Sequence, residues 1–398
     1  MVIIHGRRRR SVALAVRSRY ALYALNFVLA LHLALVAYYM STFLVDKGFP
    51  QEFVGVLYAV GSMLTLVSIA FAPYFLRRLG NYTNILSLGL LELLTFTGFV
   101  FLDNLVFVFG VFLLAFVIPA LIAFSLDIFL EGFTKSESNT GGVRGIFLTI
   151  SNLAWVGAPL AGGYIVSGGN FDLLFVVSAL LFVPFIFIAA SQLEYFRDPR
   201  YIQLDIHKFL RSLKNSKNLR GVFAASFLLR FFFGIMVIYL PLYIYGTLGM
   251  PLSSIGVMIS VATIAYVILE IPLGKLADLY WGEKEILILG FAIIAITTGA
   301  LSFLVTTSVL TWTVWLFATR IGAAMIEIST EGYFFKHVEA DDADDVSAFR
   351  MLYPLAYIVS PLFGTIILFF IPLQFIFLAT ALVMLSGISF AAILNDTK

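Results

Sequence analysis

The sequence predicts an all-α polytopic membrane protein: twelve transmembrane helices in two six-helix bundles related by a parallel repeat. Three observations predict it. The chain is 61% apolar and 12% charged over 398 residues, whereas soluble domains run at roughly 45–50% and 25%. A register also recurs. Gly48-Phe49-Pro50, three residues, Val54-Gly55-Val56 is answered by Gly249-Met250-Pro251, three residues, Ile255-Gly256-Val257. Asp127-Ile128, two residues, Glu131-Gly132-Phe133 is likewise answered by Glu327-Ile328, two residues, Glu331-Gly332-Tyr333. Finally, Lys and Arg collect in alternate connections. In so apolar a chain, two like-oriented halves imply alternating access to a site between them near the bilayer midplane.

A helix needs roughly 20 residues to cross about 30 Å of hydrocarbon. Apolar runs of that length start near Tyr20, Phe53, Thr83, Asn104, Gly145 and Phe171 in the first half. In the second half they start near Gly221, Ser254, Glu285, Ser308, Val346 and Leu373. The organisation expected is a basic cytoplasmic tail (1–19), a first bundle (20–192), a cytoplasmic linker (193–220), a second bundle (221–394) and a short cytoplasmic tail (395–398). Connections as short as Asp103-Asn104 and Pro372-Leu373 force antiparallel neighbours. The linker is polar and basic with apolar positions at Ile202, Leu204, Ile206, Phe209, Leu210 and Leu213, which reads as a helix lying on the membrane surface. Its period is not strict, so an unstructured tether is the alternative.

Orientation follows from the positively charged connections, which stay cytoplasmic. Of 25 basic residues, 22 fall in alternate segments starting with the N-terminal tail; the opposite connections hold only Lys47, and Arg230 and Arg320 lie inside spans. Both termini are therefore expected in the cytoplasm, and the protein in the inner or plasma membrane as a multi-pass protein. The Arg-rich start is expected to be a basic tail before a retained first helix rather than a signal peptide, because the apolar run from Ala21 to Val45 is too long and lacks an evident small-residue cleavage site. The absence of cysteine excludes disulfides and thiolate metal sites. The net charge of +2 gives no reason to expect nucleic acid.

Two motifs carry a family resemblance. Gly274-Lys275-Leu276-Ala277-Asp278-Leu279-Tyr280-Trp281-Gly282-Glu283-Lys284 resembles the loop between the second and third helices of a bundle in the major facilitator superfamily, with one inserted residue. The first-half copy, Pro73-Tyr74-Phe75-Leu76-Arg77-Arg78-Leu79-Gly80-Asn81, has Pro for the first Gly and Arg77 where the family has Asp. Arg78 is available there to pair with Asp127 or Glu131. Glycine permits the tight turn and opposite charges latch neighbouring helices, so these positions read as gating structure. In the fifth span, Gly145, Ala154, Ala158-Pro159 and Gly162-Gly163 are similar to the family's antiporter motif, with alanine replacing two glycines. Small residues there let helices approach closely, and Pro159 removes a backbone hydrogen bond. The resemblance implies two six-helix bundles and a cavity lined by the first, fourth, seventh and tenth helices.

Ionisable groups at bilayer depth face a partner or an aqueous cavity, because exposure to lipid costs about 2.5 kcal/mol or more. Arg230, Arg320 and His32 lie deep in the seventh, tenth and first spans, where the resemblance places them to meet substrate. Two readings are open for the arginines: contact with an anionic or polar ligand, or neutralisation by an internal carboxylate, with Glu270, Glu327 and Glu92 available. For His32 a hydrogen-bonded structural role competes with ligand contact. Arg320, Glu327 and Glu331 share one helical stripe. Glu327 and the repeat-equivalent Asp127 are candidates for closing an inner gate or carrying a proton, with a permanent salt bridge as the alternative. Glu270 and Glu92 are further proton-carrying candidates. Tyr38, Tyr39, Tyr239, Tyr243, Tyr353 and Tyr357 lie within or at the ends of spans, mostly as packing residues.

The function expected is secondary active transport of a small organic molecule with protons as the coupling ion, in the direction of export, by a monomer in the lipid bilayer. Uptake of an anionic metabolite through Arg230 and Arg320 is the alternative within transport. A receptor or scaffold that binds without flux is the alternative outside it, motivated by the altered first-half loop. Enzyme motifs such as His-Glu-x-x-His, Gly-x-Ser-x-Gly or a phosphate-cradling loop are missing from the sequence, so no catalytic residue, metal or cofactor is expected.

Overall fold

A computed structural model describes residues 2–134, 140–196, 198, 213–214, 216–337 and 343–395. Regular structure among them is helical throughout, as it must be where no water is present to satisfy backbone groups. In chain order the helices are α1 (Val2–Val36), α2 (Met40–Asp46), α3 (Val54–Leu79), α4 (Asn81–Phe101), α5 (Leu105–Thr134), α6 (Thr140–Ile165), α7 (Phe171–Leu180) and α8 (Phe182–Gln192). They continue with α9 (Lys217–Pro241), α10 (Leu252–Leu276), α11 (Glu283–Leu301), α12 (Val309–His337), α13 (Ala343–Leu368) and α14 (Ile376–Ala392). Eleven segments among the described residues are long and apolar enough to cross a membrane. The twelfth span, expected from Gly145, corresponds to α6, a helix of 26 residues that is not among those eleven. The surface helix expected in the linker falls almost entirely outside the described residues.

The repeat is visible in the backbone. Gly48 and Gly249 have φ of 107° and 65°, and Gly80 and Gly282 have φ of 75° and 85°, all in the region that only glycine enters without strain. Gly80 starts α4 and Gly282 starts α11, so each half turns from its second to its third span through the same glycine conformation. Other helix starts are capped by side chains: Asn170 Oδ1 accepts from the Leu173 amide at 3.1 Å, and Ser216 Oγ from the Leu219 amide at 3.1 Å. Capping of this kind satisfies amides that have no intrahelical acceptor.

By its contacts the chain divides into two compact units. The first comprises Met1–Val36, Val67–Ala158 and Asn170–Gln203; the second comprises Ala37–Leu66, Pro159–Gly169 and Leu204–Lys398. One end of the first, second and fifth spans is thus packed with the helices of the second half. In the first unit, Leu22, Leu29, Ile122, Phe129, Phe182 and Phe185 form a core, extended by Phe99 stacked on Phe175 with ring centroids 4.8 Å apart. In the second unit α11 and α12 meet backbone to backbone: a Cβ on Gly322 would lie 2.8 Å from the Gly290 carbonyl. Such contact between spans requires small residues, since lipid tails supply no hydrophobic drive for association. Phe101, Phe187 and Phe370 stand exposed, in keeping with a lipid-facing surface.

Candidate functional site

The ionisable residues of the spans fall into two groups, one in each unit. In the second unit, α12 presents Arg320, Glu327 and Glu331 seven and four residues apart, hence on one face. Arg230 on α9 reaches that stripe. Its Nη1 donates to Glu327 Oε1 at 3.2 Å, and its Nη2 stands 3.7 Å from Glu331 Oε1. The Glu331 side chain is 42% exposed and that of Glu327 28%, so Glu331 is the looser and wetter partner. Glu270 on α10 is exposed and interacts electrostatically with Glu331.

Arg320 is in a different situation. It is 1% exposed, its Nη2 donates to the Tyr38 hydroxyl at 3.1 Å, and its guanidinium lies 5.7 Å and 5.4 Å from the ring centres of Phe232 and Phe233. No described carboxylate pairs with it, and its Nε and Nη1 have no hydrogen-bond acceptor among the described residues. A buried charge without a counter-ion costs several kcal/mol; aromatic faces recover about 1–2 kcal/mol of that. The Tyr266 hydroxyl adjoins the same guanidinium and likewise makes no hydrogen bond of normal geometry. Beside them on α13, Tyr353 and Tyr357 stack with ring centroids 4.6 Å apart.

Tyr38 reaches Arg320 because the first span is broken. The helix stops at Val36, residues 37–39 form a turn, and α2 resumes at Met40. Interrupted helices are a common way for membrane proteins to direct polar groups at a ligand.

In the first unit, His32 and Glu92 are both fully buried. His32 Nε2 lies 2.9 Å from Glu92 Oε1, and its Nδ1 lies 2.7 Å from Ser178 Oγ. Phe96 and Phe182 pack edge-on to the imidazole at 4.3 Å and 4.9 Å. Each histidine nitrogen has a partner, whereas Glu92 Oε2 has none among the described residues. Asp127 on α5 is half-buried in this unit and makes contacts of its own.

The helix order, the repeated turns and the buried ionisable groups can be compared with known proteins. Residues 222–398 match the family model of the Major Facilitator Superfamily. Solved structures extend the likeness to the first half. The nucleoside transporter NupG, as a mutant, matches with a TM-score of 0.74 at 12% identity, covering 95% of this chain and 100% of that one. This is the major facilitator fold. A second NupG structure gives a TM-score of 0.70 at 14% identity, covering 96% of this chain and 98% of that one. A bacterial homologue of the human lysosomal transporter Spinster, inward-facing and unoccupied, gives 0.65 at 13% identity, covering 96% and 93%. Among curated proteins none matches the chain in sequence. The likeness to these structures is one of fold, and it agrees with the eleven segments among the described residues that are long and apolar enough to cross a membrane.

Within the major facilitator fold the motif residues lie where helices turn or touch. A Cβ on Gly274 would meet nothing within 4 Å, so close packing does not explain that glycine. The side chain of Asp278 is outside the described residues; its backbone forms part of a π-helical turn, Ala277–Trp281, that ends at Gly282. Arg78 does not pair with Asp127 or Glu131. It lies over the Tyr74 ring at 4.5 Å and makes no ion pair among the described residues. In α6, Gly145 is helical, Pro159 and Gly162 are buried, and a Cβ on Gly163 would lie 3.2 Å from the Gly256 Cα. The fifth-span motif therefore includes a glycine in close contact with α10. Sequence reading brought neither Tyr38 nor Tyr266 to Arg320. The Tyr38-Tyr39 pair at the end of the first apolar run carried the only signal.

Proposed function

We propose that the chain is a proton-coupled secondary transporter that exports a small organic molecule, alternating access by rocking two helical bundles about a site near the midplane. The supporting observation is that one guanidinium, that of Arg230, is shared by Glu327 and Glu331. One cation balances one carboxylate. The group of three therefore carries an excess negative charge, which a transferred proton cancels. Export is inferred from the fifth-span motif, whose Pro159 and Gly163 pack against Tyr39 and Gly256. The basic connections support a cytoplasmic location for both termini, and the reading takes the working unit to be a monomer.

Uptake of an anionic metabolite is a second reading, favoured by Arg320, which is buried without a described carboxylate partner. A nucleoside, the cargo named for NupG, is the neutral alternative; at 12% identity that likeness argues for fold alone. The test is flux in proteoliposomes loaded with a panel of organic anions, nucleosides and cations, with a pH step imposed across the membrane. Substrate movement driven by the step is expected. Flux indifferent to the step discards proton coupling, and binding without flux leaves a receptor or scaffold.

A further inference from the structure

The two halves start their third spans through the same glycine conformation but satisfy those starts differently. A helix start carries a partial positive charge and amides without intrahelical acceptors. After Gly282, α11 has Glu283 and Glu285 in its first turn, and Glu283 is ion-paired with Lys336 of α12. After Gly80, the corresponding residues of α4 are Asn81 and Thr83, and its first turn holds no acid. Arg77 just before it adds a cation, whose Nε turns back to the Pro73 carbonyl at 3.2 Å. The carboxylate comes instead from beyond the last span of the first unit. Asp198 Oδ1 accepts from the Asn81 amide at 3.0 Å, and a Cβ on Gly80 would lie 2.8 Å from Asp198 Oδ2.

Two residues earlier, Phe196 is seated on α5. Its ring centre lies 4.4 Å from that of Phe129, and a Cβ on Gly132 would fall 2.5 Å from its ring edge. At the matching Gly332 a Cβ would meet Glu283 Oε1 at 3.7 Å, an ordinary contact, so in the first half it is the aromatic ring after α8 that demands glycine. The Tyr82 hydroxyl adds a third tie by donating to the Ala190 carbonyl of α8 at 3.1 Å.

We infer that the start of the linker is a strap clipped to the first unit: Phe196, seated in the notch left by Gly132, delivers Asp198 to the start of α4. The turn between the second and third spans of that unit is then held by the linker and not by an acid of its own. The contact is also releasable. Asp198 is exposed, and an exposed capping carboxylate is a marginal interaction, whereas Glu283 in the second unit is 2% exposed. Undocking the strap therefore loosens the start of α4 from a distance of more than 100 residues along the chain.

The test is hydrogen exchange by mass spectrometry on the full-length protein, following the first turn of α4 (81–84) and the end of α8 with the residues after it (190–196). Asp198→Ala is expected to raise exchange of the first turn about fivefold and to raise that of 190–196 as well, while Asp198→Asn, which keeps an acceptor, stays close to the wild type. Gly132→Ala, on a different helix, should unseat Phe196 and raise exchange in both segments. Should that variant not fold, Phe196→Ala does the same without crowding α5. Thr83→Glu places an acid where the second half has Glu285. Added to Asp198→Ala, it is expected to restore the first turn and to leave 190–196 raised. Restoration of both segments would reduce Asp198 to a charge at a helix end and overturn the strap. A first turn unmoved by Asp198→Ala, or by Gly132→Ala and Phe196→Ala alike, overturns it too.

Discussion

Tyr239 donates a hydrogen bond to the carbonyl of Pro361 at 2.8 Å, and Tyr39 donates one to the carbonyl of Pro159 at 2.5 Å. The four residues occupy corresponding places in the two halves. Each carbonyl also lies against a glycine: a Cβ on Gly55 would fall 2.3 Å from the Pro361 carbonyl oxygen, and one on Gly256 would fall 2.4 Å from that of Pro159. The same contact among a tyrosine, a proline carbonyl and a glycine is thus built twice. It joins the end of the spans that the basic residues assign to the outside. Gly55 and Gly256 belong to the repeated register itself, which explains in packing terms why glycine stands there.

A transporter that alternates must separate these contacts, so enlarging the glycines should favour the separated form. The chain has no cysteine, and Ser253, whose Cα lies 3.1 Å from where a Cβ on Gly163 would sit, can be made Ser253→Cys as a reporter. Gly256→Val in that background is expected to raise maleimide labelling several-fold. Tyr39→Phe, which removes one hydrogen bond worth about 1 kcal/mol, should raise it about fivefold. Labelling unchanged by both substitutions would show that the contact does not gate this end.

Arg230 holds two carboxylates, and its loss leaves both without a cation. Arg230→Gln is expected to destabilise the protein by about 1–2 kcal/mol, below the scale for a fully buried pair because both carboxylates are partly exposed. Adding Glu327→Gln should recover part of that loss, because the second change removes the uncompensated charge. Thermal unfolding of the two single variants and the double variant measures the coupling. Strict additivity would mean that the pair contributes nothing.

The spans were legible in the sequence because lipid leaves the backbone no choice but helix and demands a long apolar run for each crossing. The duplication was legible because Gly48, Gly55, Gly249 and Gly256 are needed for backbone conformation or close approach, which no other residue supplies. The polar partners were less so. Arg320 and Glu327 share a stripe of one helix, and that periodicity is visible; the bond between Arg230 and Glu327 crosses helices 97 residues apart and leaves no local pattern. His32 and Glu92 were named singly and meet only in three dimensions. Arg78 misled for a related reason: a charge near a helix end suggests an ion pair, but the ring of Tyr74, four residues earlier on the same helix, is closer to hand.

The proton coupling proposed above predicts its loss in either carboxylate variant of the shared pair. Glu327→Gln leaves Arg230 balanced by Glu331, and Glu331→Gln leaves it balanced by Glu327. Each trio is then neutral and has no excess charge of its own for a proton to cancel, with Glu270 unchanged beside it. Both variants are expected to lose accumulation driven by a pH step while retaining substrate exchange at equal pH on the two sides. Loss of exchange together with accumulation would assign these residues to structure.

His32 and Glu92 invite the opposite expectation. The pair is sealed from solvent, its histidine has a partner on both nitrogens, and phenylalanine rings close it on two sides. Both side chains are fully buried, so neither meets solvent in the state described. Removing the histidine strands a carboxylate in an apolar core, so His32→Ala should cost about 3–5 kcal/mol. Glu92→Gln keeps an acceptor for Nε2 and should cost no more than about 1–2 kcal/mol. Provided Glu92→Gln folds, its transport should follow an imposed pH step as the wild type does. If that variant is stable yet indifferent to the step, the proton travels through the first unit and the assignment to Glu327 and Glu331 is wrong.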